Sequence, residues 1–134
     1  SAGKERERYE KYKKLLSIKA ADPKDPITSL SGGNQQKVFL ARWLNTEAGI
    51  LLLDNPTQGI DVGAKAEIYK LILKLADAGK TILINTLEIP ELAKVADCCA
   101  VFYEGTIIKM LQHEEIDEKT VMLYSTNAAQ KGES

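Results

Sequence analysis

Apolar residues fall into two kinds of pattern along this chain, and each predicts a different element. Four consecutive apolar residues, Ile50-Leu51-Leu52-Leu53, end at Asp54 and predict a buried parallel strand. Thr81-Ile82-Leu83-Ile84 predicts a second buried strand, and Cys98 to Tyr103 a third. Helical spacing fills the intervals. Val38, Ala41, Trp43 and Leu44, widened by Phe39 and Leu40, predict a helix over 34–45. Trp43 is expected in its core, with Lys37 and Arg42 on its solvated side. Ala64, Ile68, Leu71, Ile72 and Leu75 form one stripe and predict the clearest helix, over 62–78, with Asp61 as N-cap and Gly79 as C-cap. Pro90 suits the first turn of a short helix containing Leu92, Ala93 and Ala96. Glu104-Gly105 predicts a tight turn into Thr106–Lys109 and hence a small hairpin. Ile116, Val121 and Met122 suggest one last helical segment. Strand, helix, strand, helix, strand is α/β order.

The polar stretches frame this pattern. Residues 3–14 carry nine charges, with Tyr9, Tyr12 and Leu16 as a narrow apolar stripe. They read either as a helix or as a solvated, frayed terminus. Asp22, Pro23, Asp25 and Pro26 mark 17–29 as a loop anchored by Ile18 and Ile27. The divisions expected are therefore a charged helix and linker over 1–29, a body over 30–124, and a small, polar, disordered tail over 125–134.

Composition narrows the classes. The chain has 134 residues, 44% hydrophobic, and a formal net charge of -1. One domain with a modest core fits that length. Near-neutral charge argues against nucleic acid as a partner. No run of about eighteen apolar residues occurs, so no helix is expected to span a membrane. No signal-peptide pattern opens the chain, and Ser1-Ala2 fits a cloning scar. Cys98 and Cys99 are adjacent and have no further cysteines to join, which excludes a disulfide framework or a zinc site. They read as buried thiols of a reducing compartment. His113, the single histidine, reads as a surface residue.

Two stretches carry candidate chemistry. In Leu30-Ser31-Gly32-Gly33-Asn34-Gln35-Gln36-Lys37, a serine and two glycines open a helix. Ser31 can cap it, the glycines let an anion approach backbone N–H groups, and the helix dipole adds favourable potential. An ordinary Ser-Gly cap is the plainer reading of the same residues. The second stretch is Ile50 to Asp61, where Asp54 stands at the carboxyl end of a strand, the usual ligand end of open α/β sheets.

Taken together, the two stretches closely resemble the nucleotide-binding domains of ABC transporters. LSGG followed by QQK is similar to the signature motif, ILLLD to the Walker B strand, and Gly59-Ile60-Asp61 to the D-loop. LSGGNQQK with GIDVGAK is most similar to the second domain of the tandem carbohydrate-importer ATPases of the ribose, galactose and xylose type. The resemblance covers roughly residues 15–125 and implies a partial P-loop NTPase (RecA-like) fold with parallel strands flanked by helices.

The resemblance also implies roles. Ser31, Gly32, Gly33 and Gln35 would contact the γ-phosphate of ATP held by a partner nucleotide-binding domain, on the same or a sister chain. Asp54 would hold the hydration shell of Mg²⁺. Gln58, Gly59 and Asp61 would lie at the domain–domain interface. Two positions depart from the pattern. Asn55 stands where most active relatives carry a glutamate that polarises the attacking water, as an engineered trap or a naturally weakened site. Thr86 is the nearest match to the switch histidine, in a stretch one residue longer than the importers' own. No GxxxxGK[ST] phosphate loop occurs. The chain is thus expected to be the later part of a domain and inactive alone. The weak local site and intact signature imply the degenerate half of an asymmetric pair. The whole would couple ATP hydrolysis to sugar import, peripheral on the cytoplasmic face of the membrane, with transmembrane permease subunits and, indirectly, an extracytoplasmic sugar-binding protein. The alternatives are a soluble ABC ATPase without a permease and a non-hydrolysing regulatory or interaction domain.

Overall fold

The computed structural model describes residues 1–20, 22–44 and 46–128. The chain divides into two compact units, Ser1–Asn85 and Thr86–Ser134. The division falls at the end of the second predicted strand.

In the first unit, α1 (Ala2–Leu15) is followed by a loop that holds one 3₁₀ turn, Ile27–Ser29. Residues 3–14 are therefore helical. α1 ends in a Schellman motif: Ile18 N–H donates to the Lys13 carbonyl at 2.9 Å and Ser17 N–H to that of Lys14 at 3.3 Å. Ser17 occupies the left-handed position, at φ 51°, where glycine is usual. Leu16 and Ile18 are buried beside it, whereas Ile27 is exposed.

Then come α2 (Gly32–Leu44), β1 (Ile50–Asp54), α3 (Val62–Asp77) and β2 (Thr81–Asn85). β1 and β2 pair in parallel, from Ile50 with Thr81 to Asp54 with Asn85. α3 packs against both α2 and β2. Asp61 caps α3 as expected, accepting from Ala64 N–H at 3.0 Å. Gly79, at φ 95°, occupies the position after the C-cap Ala78. Tyr69 joins the predicted buried residues of α3.

Three expectations for this unit are corrected. The buried face of α2 is Lys37, Leu40 and Ala41, one turn at i, i+3 and i+4, and Trp43 is half exposed. Lys37 is 4% exposed and not on a solvated side. The strands are covered on one face only. Leu51 is buried, but Ile50, Leu52 and Leu83 are exposed, Leu52 at 77%. Adjacent strand residues point to opposite faces, and the helix packs on one of them.

The second unit contains α4 (Ile89–Val95), β3 (Cys98–Tyr103), β4 (Thr106–Gln112), a 3₁₀ turn over His113–Glu115, and α5 (Glu118–Ser125). Its core is Ile89, Val101, Leu111, Ile116 and Val121. β3 pairs with β4 in an antiparallel hairpin and not with the parallel pair. Glu104 and Gly105 both have positive φ, 47° and 78°, the type I′ requirement that matches strand twist. A bulge follows, since Val101 pairs with Lys109 and Phe102 with Ile107. Cys98 is exposed, against expectation, because neighbours on a strand face opposite ways. Cys99 is half-buried, and that burial raises its thiol pKa. His113 is exposed as expected, with Nδ1 2.8 Å from the Ala96 carbonyl. Ser125, expected to open a disordered tail, is the last residue of α5 and bonds the Met122 carbonyl. Residues 129–134 lie outside the described residues.

Among the described residues, no helix is long and apolar enough to cross a membrane.

Candidate functional site

The first unit gathers the candidate residues into two groups. One is the start of α2. Ser31 Oγ accepts from the Asn34 backbone N–H at 3.3 Å and from Asn34 Nδ2 at 2.9 Å. Ser31 is thus the N-cap, and its carbonyl accepts from Gln35 N–H at 2.9 Å. Gln35 Nε2 turns back to the Leu30 carbonyl at 2.8 Å. Asn34 Oδ1 accepts from Lys19 N–H at 3.2 Å, which ties the preceding loop to this turn.

The two glycines differ. A Cβ on Gly32 would meet nothing within 4 Å, so its backbone is open to a ligand. A Cβ on Gly33 would lie 2.7 Å from Ala64 Cβ and 3.7 Å from Ile60 Cγ2. Gly33 therefore seats α2 on α3, and this contact alone requires a glycine.

The second group stands at the end of the parallel strands. Asp54 and Asn85 are paired in register, on the exposed face that also carries Leu52 and Leu83. Asn85 Nδ2 donates to Asp54 Oδ1 at 2.8 Å, and Asn55 Nδ2 approaches the same oxygen at 3.5 Å. Asn55 N–H continues the ladder to the Asn85 carbonyl at 2.8 Å. Asn55 has φ 45°, a left-handed conformation that asparagine tolerates better than most residues. The group thus holds one carboxylate and two amides. An amide can hold a water molecule but cannot take its proton at neutral pH.

The loop from Asn55 to Asp61 joins this group to α3. Gln58 N–H bonds the Asn55 carbonyl and Ile60 N–H that of Thr57, both at 3.2 Å. Gly59 turns the chain at φ 75°. Thr57 is 1% exposed, with its hydroxyl 3.4 Å from that of Tyr69. Gln58, Gly59 and Asp61 remain exposed. Thr86 lies in the second unit, where its hydroxyl accepts from Glu88 N–H at 3.0 Å.

Comparison with known proteins decides the family. The profile described as "ABC transporter" matches residues 3–58. The ribose import ATP-binding protein RbsA of Halalkalibacterium halodurans is 45% identical over 126 residues, 94% of this chain and 25% of that protein. The arabinose import ATP-binding protein AraG of Vibrio parahaemolyticus is 47% identical over 118 residues, 88% of this chain and 23% of its own length. The dimeric structure of MJ0796, a bacterial ABC transporter cassette, superposes with a TM-score of 0.70 at 26% identity, covering 84% of this chain and 49% of that one. The chain belongs to the ABC transporter ATP-binding family. It spans about a quarter of the length of the curated relatives it matches.

Sequence reasoning missed three residues of this ABC cassette that shape the two groups. Asn85 was legible in principle, because β1 and β2 are matched apolar runs that each end on a polar residue. Lys37 and Glu67 were not. Lys37 Nζ forms an ion pair with Glu67 on α3 and donates to the Ser17 carbonyl at 3.3 Å. The hydrogen bond and charge of Lys37 hold the Glu67 carboxyl below its ordinary pKa.

Proposed function

We propose that this cassette is the C-terminal part of the second ATP-binding domain of a carbohydrate importer, and that it acts by lending the start of α2 to ATP held on a partner domain. The observation that carries this reading is the contrast between the two groups. The α2 start is a capped helix terminus with an exposed serine and an open glycine, suited to charge-assisted bonds to a phosphate. The strand-end group offers Asp54 with two amides and no second carboxylate.

Asp54 fits a hydrated Mg²⁺. Both amides address Oδ1, so Oδ2 keeps its acceptor capacity, and Mg²⁺ retains most of its waters beside one carboxylate and substrate phosphates. Among the described residues, no group of three or more His, Cys, Asp or Glu could hold the ion alone. When bound, Mg²⁺ neutralises charge on the β- and γ-phosphates. Asn85 fixes the Asp54 carboxylate, and Asn55 orients a water molecule without deprotonating it. Gln58, Gly59 and Asp61 face the partner domain and link the two nucleotide sites. Thr86 is the position nearest a switch residue. The sugar relatives and the dimeric cassette support a pair of such domains docked on a transmembrane permease at the inner face of the membrane and served indirectly by an extracytoplasmic sugar-binding protein.

The test is ATP turnover by the full-length protein with its permease. Ser31→Arg is expected to lower turnover tenfold or more, because a long cation fills the space of the phosphate contact. Asn55→Glu is expected to change it less than twofold. A severalfold gain from Asn55→Glu with Ser31→Arg tolerated would overturn the asymmetric reading.

A further inference from the structure

We propose that Lys37 is a positioning residue that locks the start of α2 and the 58–61 loop into one rigid body. Two rungs join α2 to α3. The first is steric: Gly33 sits against Ala64 and Ile60 with no room for a methyl group. The second is electrostatic: the buried Lys37 ammonium pairs with Glu67. The rungs are one turn apart on both helices, at i, i+4 on α2 and i, i+3 on α3. A single contact would leave the helices free to pivot about it. Two contacts along the shared interface remove that freedom.

Lys37 adds a third attachment. Its Nζ also donates to the Ser17 carbonyl, in the left-handed turn that ends α1. A point charge with three rotatable donors can serve a carbonyl and a carboxylate at once. The turn that ends α1, the body of α2 and α3 therefore meet at one ammonium. Asp61 caps α3 three residues before Ala64 and six before Glu67, so a shift of the 58–61 loop is carried through Ala64 and Glu67 to α2.

The catalytic consequence rests on the proposed role of the α2 start, so the experiment separates the lock from that role. Hydrogen exchange by mass spectrometry on the full-length protein reads the lock directly. Lys37→Met is expected to speed exchange at least fivefold in both 30–36 and 58–65, with the 98–112 hairpin unchanged. Glu67→Gln, a change at an exposed side chain, is expected to give the same paired acceleration if Lys37→Met folds poorly. Unchanged exchange in 58–65 in both variants would overturn the lock.

Turnover reads the consequence. Lys37→Met is expected to lower kcat tenfold or more, with KM for ATP within twofold and ATP bound per protein unchanged. Lys37→Arg, which keeps the charge on Glu67, is expected to recover kcat to within threefold of the native enzyme. Paired acceleration with unchanged kcat keeps the lock and overturns its catalytic consequence, while the role of Ser31 itself stands or falls on Ser31→Arg.

Discussion

Gly33 and Gly32 are neighbours in sequence and opposites in surroundings. Gly33→Ala forces a methyl group into Ala64 and is expected to destabilise the fold by about 1–3 kcal/mol. Gly32→Ala meets nothing and should leave the denaturation midpoint within the range of an ordinary surface change, about ±0.5 kcal/mol. Urea titration of the two variants checks this. The sequence alone treats both as openings for a phosphate, since a missing side chain looks the same whether a ligand or a helix takes its place. Lys37 escaped for a related reason. A lysine in a helix reads as solvated, and its partner Glu67 lies 30 residues away. The pair also carries a pH signature. Glu67 has a depressed pKa in the folded state, so its contribution is complete above the ordinary glutamate range and is lost as pH falls through the depressed value. Acidification through that window should therefore destabilise the native chain more steeply than Glu67→Gln, as followed by thermal melts across acidic pH.

Elements whose signals are local were legible. Asp61 caps α3 where the sequence places it, and removing that carboxylate in Asp61→Ala is expected to cost about 1 kcal/mol by chemical denaturation. The end of α3 is just as local. Gly79 N–H bonds the Ala76 carbonyl and Lys80 N–H that of Leu75, the double closure that glycine at positive φ allows. Glu104-Gly105 sets the hairpin, and the left-handed Glu104 is a residue that asparagine would replace favourably. Which face of a strand is covered was not legible. Ile50–Leu53 is apolar at every position, so it contains no alternation from which a bare face could be read. Trp43 fails similarly, because the position of α3 decides which side of α2 is the interior.

The whole molecule is α/β, as the element order implies, but its strands belong to two separate pairings and its residues to two units. A pattern of elements does not show which strands pair, since pairing depends on contacts between distant segments. The exposed parallel pair makes solubility a whole-molecule property. Leu52→Thr, on the bare face, is expected to raise the concentration at which the chain remains monodisperse in light scattering, without lowering its melting temperature by more than a few degrees. The two pairings also impose a timetable. β3 and β4 meet across a two-residue turn, a local closure on the microsecond scale. β1 reaches β2 only after the chain has passed through all of α3, so that pairing bears the greater loop-closure cost. As the chain leaves a denaturant, the hairpin should gain amide protection first. Asp54 and Asn85, on which the proposed metal contact depends, come together last.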